Sequence, residues 1–291
     1  MSKIVLITGA SSGFGRLTAE AIARAGHVVY GSMRQTATRN APVVEQMAKF
    51  SKENHLDLRA LELDVQSQDS VDAAVKKVIA EQGRIDVLIH NAGIVEGTFE
   101  QLDAVNLRAA FWLTEAAWEY MCAQQYGRIL LTTSSAGLFG ASNGVEYAPI
   151  QSYGATKMGA FGLGRCLAVR GRSCNIRVNM VSPHAFTRLA AGLPPTPQAK
   201  FMETHAKPEL VAPGSVFLVH ETCPVSGETF AVGAGRMARV FVGETAGYVD
   251  SDLTVEKVAQ NFGKICDETG YHVPADMSEI VDIYRRAVGA D

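Results

Sequence analysis

Ile4-Val-Leu-Ile-Thr-Gly-Ala-Ser-Ser-Gly-Phe-Gly15 stands almost at the start of the chain and orders everything after it. Ile4 to Ile7 form a short apolar run of the kind found in a strand buried on both faces. The run breaks into glycines at 9, 13 and 15, and Leu17, Ala21, Ile22 and Ala25 then recur at helical spacing up to Gly26. A strand, a glycine-rich turn and a helix in this order make an anion site. The N–H groups of the helix N-terminus point at a phosphate, and residues lacking Cβ let the backbone come close. Gly9, Ser11, Ser12, Gly13, Phe14 and Gly15 are the candidate residues. Their Gly-x-x-x-Gly-x-Gly spacing differs from the commoner dinucleotide fingerprint, and such a loop alone is also compatible with a structural turn.

Strands and helices alternate beyond this point. Val28 to Arg34, Leu58 to Leu63, Ile85 to His90, Ile129 to Thr133, Ile176 to Val181 and Glu228 to Val232 read as strands. Between them, helical periodicity runs through Val71 to Ile79, from Asn106 onward, and from Tyr153 to about Arg170. This alternation predicts an α/β fold, a doubly wound Rossmann-like parallel sheet of about seven strands with a C-terminal helical extension. Ligands of such folds bind past the carboxyl ends of the strands, where Gly9, Asp64, Asn91, Ser134 and Pro183 fall. Residues 1–240 are expected to form the dinucleotide-binding and catalytic domain, and 241–291 an extension packed on it. Seven of the ten prolines lie between Pro183 and Pro224, so 184–215 reads as a substrate lid. Glycines at 154, 159, 162 and 164 interrupt a helix and call for close packing by a neighbouring helix or another subunit.

The composition narrows the classes. A net charge of −3 leaves no electrostatic footprint for nucleic acid, and no apolar run reaches membrane-spanning length. The chain lacks a signal-peptide pattern. Its five cysteines form no Cys-x-x-Cys, which predicts free thiols and a cytoplasmic location. Seven scattered histidines show no ligand spacing, so no metal is expected.

Two features carry chemistry. Where an NAD-preferring site has a carboxylate at the end of the second strand, Ser32, Met33 and Arg34 stand instead. A cation and a hydroxyl suit a 2′-phosphate, which selects NADP(H); Arg16 and Arg39 are weaker candidates for the same contact. Tyr153-Gly-Ala-Thr-Lys157 places a phenol and an ammonium one helical turn apart. The cation stabilises the phenolate, so the tyrosine can give a proton to a carbonyl or take one from an alcohol. Ser134, at the end of the fifth strand, offers a hydroxyl to hold the carbonyl oxygen.

Together Thr8-Gly-Ala-Ser-Ser-Gly-Phe-Gly15, Asp64-Val65, Asn91-Ala-Gly93, Asn106, Ser134, Tyr153-x-x-x-Lys157 and Pro183-x-x-x-Thr187 resemble the short-chain dehydrogenase/reductase family. The resemblance implies Tyr153 as general acid/base, Ser134 as the substrate-orienting hydroxyl and Lys157 as the ribose ligand that lowers the Tyr153 pKa. It further implies that Asn106 supports a proton relay. Asp64 and Val65 would meet the adenine, Asn91, Ala92 and Gly93 would back the cofactor, and Pro183 and Thr187 would hold its nicotinamide end. A homodimer or homotetramer is implied as well. The chain departs from the family in three places. Ser134 and Tyr153 are nineteen positions apart, the Gly93–Asn106 interval is short, and His184 replaces a glycine after Pro183. Tyr147 lies closer to Ser134, but Gln151 stands where its lysine would be.

Residues 1–95 resemble NADP-type bacterial reductases. From about residue 109 the chain resembles the (3R)-hydroxyacyl-CoA dehydrogenase domain of multifunctional β-oxidation enzymes. The expected activity is NADP(H)-dependent interconversion of a carbonyl and a secondary alcohol. The apolar lid residues Leu189, Leu193, Phe201 and Met202 favour a small or medium ketone or aldehyde, with a 3-hydroxyacyl-CoA thioester as the alternative. The alternative of another class is a non-catalytic NADP-binding regulatory or scaffold protein.

Overall fold

The computed structural model describes residues 2–140, 149–186 and 196–290. Eight strands form one sheet in the order β3-β2-β1-β4-β5-β6-β7-β8. They are β1 (Ile4–Thr8), β2 (Val28–Met33), β3 (Leu58–Glu62), β4 (Val87–His90), β5 (Gly127–Thr132), β6 (Ile176–His184), β7 (Thr229–Gly233) and β8 (Arg236–Val240). All pairs from β3 to β7 are parallel. Strand order reverses between β2 and β4, on the two sides of β1, and that reversal opens the crevice in which such sheets bind ligands.

The helices in chain order are α1 (Gly13–Arg24), α2 (Ala41–Glu53), α3 (Gln68–Gln82), α4 (Phe99–Asp103), α5 (Ala109–Ala123), α6 (Ser135–Phe139), α7 (Pro149–Arg170), α8 (Pro197–His205), α9 (Ala212–Val219), α10 (Val255–Ile265) and α11 (Met277–Ala287). Side chains alternate across each strand, so the sheet has a core on either face. Leu6, Leu88, Ile129, Leu113 and Phe161 belong to one, and Val5, Ile7, Ile22, Met47 and Leu218 to the other. Local chemistry fixes the helix ends. Ser67 caps α3 by accepting from the Ser70 N–H, and Gly83 closes it at φ 72°, a left-handed conformation that glycine adopts without strain.

Four findings differ from the sequence reading. An eighth strand follows β7 because Ala234 and Gly235, at φ 49° and 76°, make the two-residue turn that folds a hairpin. Helix α2 had no strong periodic signature, since Met47 is its one buried side chain. The helical segment around Asn106 begins earlier, at a capping box in which Thr98 and Gln101 satisfy each other's backbone N–H groups. The expectation of free thiols throughout is corrected: Cys122 and Cys174 are bridged, with Cα atoms 4.8 Å apart, while Cys166, Cys223 and Cys266 are free. Sequence spacing hides this pair. The pairing of Gly127 with Ile176 across β5 and β6 brings together the segments that precede the two strands.

The glycines of α7 are accounted for within the chain at three positions. A Cβ on Gly154 would press on the Ala136 carbonyl, one on Gly159 on Leu107, and one on Gly164 on Met180. The chain divides into two compact units, Met1–Arg239 and Val240–Asp291. The second holds α10 and α11, capped by Thr254 and Asp276, and none of its described residues is fully buried.

Candidate active site

The glycine turn is a cradle closed by β4. The Thr8 hydroxyl accepts the N–H groups of both Asn91 and Ala92, each at 3.1 Å. The Asn91 amide returns to the carbonyls of Thr8 and Gly9 at 3.0 and 3.3 Å. Side chains have no room here. A Cβ on Gly9, whose φ is 69°, would lie 2.9 Å from the Ala92 Cα, and one on Gly15 would collide with the Gly9 carbonyl and the Asn91 amide. No acidic residue stands in the first turn of α1. A backbone cradle at the positive end of a helix, with no competing carboxylate in that turn, fits the pyrophosphate of a dinucleotide. Asn91, Phe14, Thr132 and Pro183 line one cavity at this pole of the sheet.

The adenine side is built from the ends of β2 and β3. Arg34 and Arg39 are exposed, whereas Arg16 is paired with Glu20 at 2.7 Å. Ser32 is fully buried, so its hydroxyl does not share a surface with Arg34, contrary to the sequence reading. A carboxylate is present in this neighbourhood after all, supplied by β3. Glu62 accepts the N–H groups of Gln35 and Thr36, both at 2.7 Å, and so clamps the loop that carries Arg34. Burial opposes ionisation of Glu62, but the bonds from Thr36 and Gln35 outweigh it and lower its pKa. Asp64 turns the chain into α3 by accepting from the Gln66 N–H at 3.0 Å, with Val65 half-buried beside it.

The catalytic candidates meet where β4, β5 and α7 converge. Lys157 is buried and its Nζ donates to the Thr132 carbonyl at 2.9 Å. The Thr133 hydroxyl donates back to the Lys157 carbonyl at 2.7 Å. Burial drives the Lys157 pKa down from 10.5 to about 8. A Cβ on Gly93 would sit 3.2 Å from both the Lys157 Nζ and the Asn106 Oδ1, so the Asn91–Gly93 segment, Lys157 and Asn106 are one cluster. Asn106 lies in a single π-helical turn, Ala104–Arg108, between α4 and α5. Its side chain is tied to the backbone of Ile94 in both directions, at 2.9 and 3.0 Å. Lys157 Nζ lies 6.0 Å from the centre of the Tyr153 ring. Helix α6 docks on this turn of α7 because Gly137 approaches the backbone of Gly154 and Met158, where a Cβ would come within 2.8 Å of each. That contact delivers Ser134, the N-cap of α6, to the Tyr153 end of α7. Ser134 Oγ accepts from the Ala136 N–H at 3.2 Å, which uses a lone pair and leaves the hydroxyl proton to donate.

Beside them, His184 contacts the Ser135 hydroxyl at 3.2 Å through Nε2, and Ser135 reaches Ser182 at 3.1 Å. Thr187, Tyr147 and much of the expected lid, including Leu189 and Leu193, lie outside the described residues. The sequence reading quoted Thr8 in the glycine motif without giving it a role, and missed Glu62, Thr132 and Thr133 as positioning residues. A threonine that ends a strand carries no motif of its own, and its role emerges only when the neighbouring strand supplies its partner.

Comparison with known proteins gives the family. The family model described as short chain dehydrogenase matches residues 3–192. The chain belongs to the short-chain dehydrogenase/reductase family of oxidoreductases, whose members use a nicotinamide cofactor. It is 32% identical over 302 residues to the peroxisomal multifunctional enzyme type 2 of Mus musculus, which covers 95% of this chain and 38% of the mouse protein. It is 32% identical over 250 residues to the 3-oxoacyl-[acyl-carrier-protein] reductase of Synechocystis, covering 81% of this chain and 97% of that protein. Full-length peroxisomal multifunctional enzyme type 2 from Drosophila melanogaster superposes with a TM-score of 0.77 at 24% identity, over 99% of this chain and 49% of that one. The chain thus spans less than half of these multifunctional relatives.

Proposed function

We propose that this chain interconverts a 3-oxoacyl thioester and the corresponding 3-hydroxyacyl thioester, using a nicotinamide dinucleotide. The observation that carries the reaction class is the convergence of Tyr153, Lys157, Ser134 and Gly93 beside the glycine cradle. The substrate class draws support from relatives named for multifunctional enzymes and for reduction of 3-oxoacyl carriers. These relatives favour the acyl-thioester alternative over the compact ketone expected from the lid composition.

Within this reading, the bound nicotinamide supplies or accepts the hydride. Ser134 donates its hydroxyl proton to the substrate oxygen and fixes its position. Tyr153 gives that oxygen a proton in reduction and takes one in oxidation. Lys157, held from behind by Thr132, places positive charge where the phenolate forms and would offer one N–H group to the ribose. Asn106 holds the Ile94 backbone and thereby the segment after Gly93 that would back the cofactor. Arg34, exposed just past the end of β2, would meet a 2′-phosphate on the adenine ribose, and its charge favours NADP(H).

The test is to measure kcat/KM for a 3-oxoacyl-CoA and for a free ketone of the same acyl length. The expected preference for the thioester is about a hundredfold or more, roughly 2.7 kcal/mol of transition-state binding. A preference for the free ketone overturns the substrate assignment.

A further inference from the structure

His90, the last residue of β4, has no part in the chemistry above. It is fully buried, and neither ring nitrogen has a hydrogen-bond partner among the described residues. A strand alternates faces, so His90 shares its face with Leu88 and not with Ile89. Leu88 packs in the cluster that contains Leu131, Leu113 of α5 and Phe161 of α7. The imidazole therefore lies under the helices that carry Asn106 and Lys157. Two groups act on it there. One is the Lys157 ammonium, and the other is the backbone of Val105, inside the π-helical turn, which stops short of hydrogen-bonding geometry. Arg108 of the turn is paired with Asp103 of α4 at the surface. Burial first, and the Lys157 charge second, lower the His90 pKa from 6.5 to about 3, so the ring is neutral at any working pH.

The donor inventory makes the ammonium and the unpartnered imidazole complementary. An ammonium has three N–H donors, and Lys157 spends one on Thr132. One more is needed for the ribose. A neutral imidazole has one acceptor nitrogen and one N–H. Its N–H matches the Val105 carbonyl and its acceptor matches the third ammonium proton.

We propose that His90 is a positioning residue for Lys157, a sealed neutral imidazole that accepts an N–H of the ammonium through one water, while donating to the Val105 carbonyl. It ties the π-helical turn that presents Asn106 to the lysine that tunes Tyr153. The ammonium is held at its working depth and its charged form is stabilised against burial. The inference rests on Tyr153 and Lys157 as the catalytic pair and is independent of which carbonyl compound is turned over.

The test uses His90→Leu, which removes acceptor and donor, and His90→Gln, which keeps one of each. The first readout needs neither cofactor nor substrate: the Lys157 titration, followed by NMR of the nucleotide-free protein carrying 13C-labelled lysine. His90→Leu is expected to lower the Lys157 midpoint by about one pH unit, and His90→Gln to leave it near the wild-type value. The second readout is the pH profile of alcohol oxidation. Its rising limb should move up by about one unit in His90→Leu, with kcat lowered about tenfold and KM little changed, and return in His90→Gln. Unmoved midpoints and profiles in His90→Leu, with only thermal stability reduced, overturn the proposal. If His90→Leu does not fold, the 15N spectrum of wild-type histidines decides. A neutral ring with a hydrogen-bonded acceptor nitrogen supports the proposal, and an acceptor nitrogen with the shift of an unbonded imidazole overturns it.

Discussion

Lys157 points its ammonium back into the sheet, 2.9 Å from the Thr132 carbonyl, so its charge is anchored to the strand that presents Ser134. The arrangement costs stability. Lys157 titrates at about 8 in the fold against 10.5 ordinarily, so both folded and unfolded states are charged below pH 8 and the full burial penalty is present there. That penalty is about 3 kcal/mol and fades as pH rises from 8 to 10.5, where the unfolded state binds more protons than the folded one. Lys157→Met removes the charge and forfeits the Thr132 hydrogen bond and the one proposed toward His90, each about 1 kcal/mol. Urea unfolding at pH 7 should show a net gain of about 1 kcal/mol together with loss of turnover. A variant less stable than the wild type at pH 7 contradicts this view of the site as strained for function.

The cradle makes a steric prediction. A methyl on Gly15 would collide with the Gly9 carbonyl and the Asn91 amide, neither of which can retreat without breaking the Thr8 bonds. Gly15→Ala should weaken dinucleotide binding by at least about a hundredfold, roughly 2.7 kcal/mol. Calorimetric titration with NADPH and NADH reads it, and unchanged affinity for both would place the cofactor elsewhere.

Cofactor choice should depend on Arg34 and Glu62 with opposite signs. Arg34→Ala removes a cation that can bond a 2′-phosphate and should weaken NADPH binding about tenfold with little change for NADH. Glu62→Gln removes a negative charge from the β3 residue that clamps this loop and should raise the NADPH-over-NADH preference several-fold, about 1 kcal/mol. Equal changes for both cofactors in both variants would make this loop structural only.

Acid stability should carry a His90 component. Its folded pKa of about 3 lies below the ordinary 6.5, so the unfolded state binds the extra proton between these values. Stability is therefore complete above pH 6.5 and is lost as pH falls toward 3. Between pH 7 and 5 the loss is on the order of 2 kcal/mol, and His90→Gln should flatten that limb of the urea-unfolding curve. An identical acid limb in the variant would mean that His90 titrates normally.

The order β1 to β7 was legible in the sequence because buried parallel strands are nearly continuous apolar runs and glycines punctuate them. Gly9, Asn91, Ser134, Tyr153 and Lys157 were legible because each follows a strand or repeats at helical spacing. What was hidden depends on partners distant in sequence. The Cys122–Cys174 bridge follows from strand pairing, and the Glu62 clamp on Gln35 and Thr36 from β3 lying beside β2. The π-helical turn at Asn106 has no signature in a periodicity of 3.6, and it explains why helical spacing was legible only from that residue onward.

In the proposed reaction Tyr153 moves the proton at the 3-keto oxygen of an acyl thioester. Tyr153→Phe keeps the ring and removes only the phenolic hydroxyl, so its effect on 3-oxoacyl-CoA reduction tests this most directly. The substitution should lower kcat/KM about a thousandfold, with nucleotide affinity within a factor of about two of wild type. Turnover that survives the substitution within about tenfold would remove Tyr153 from the reaction and contradict the account.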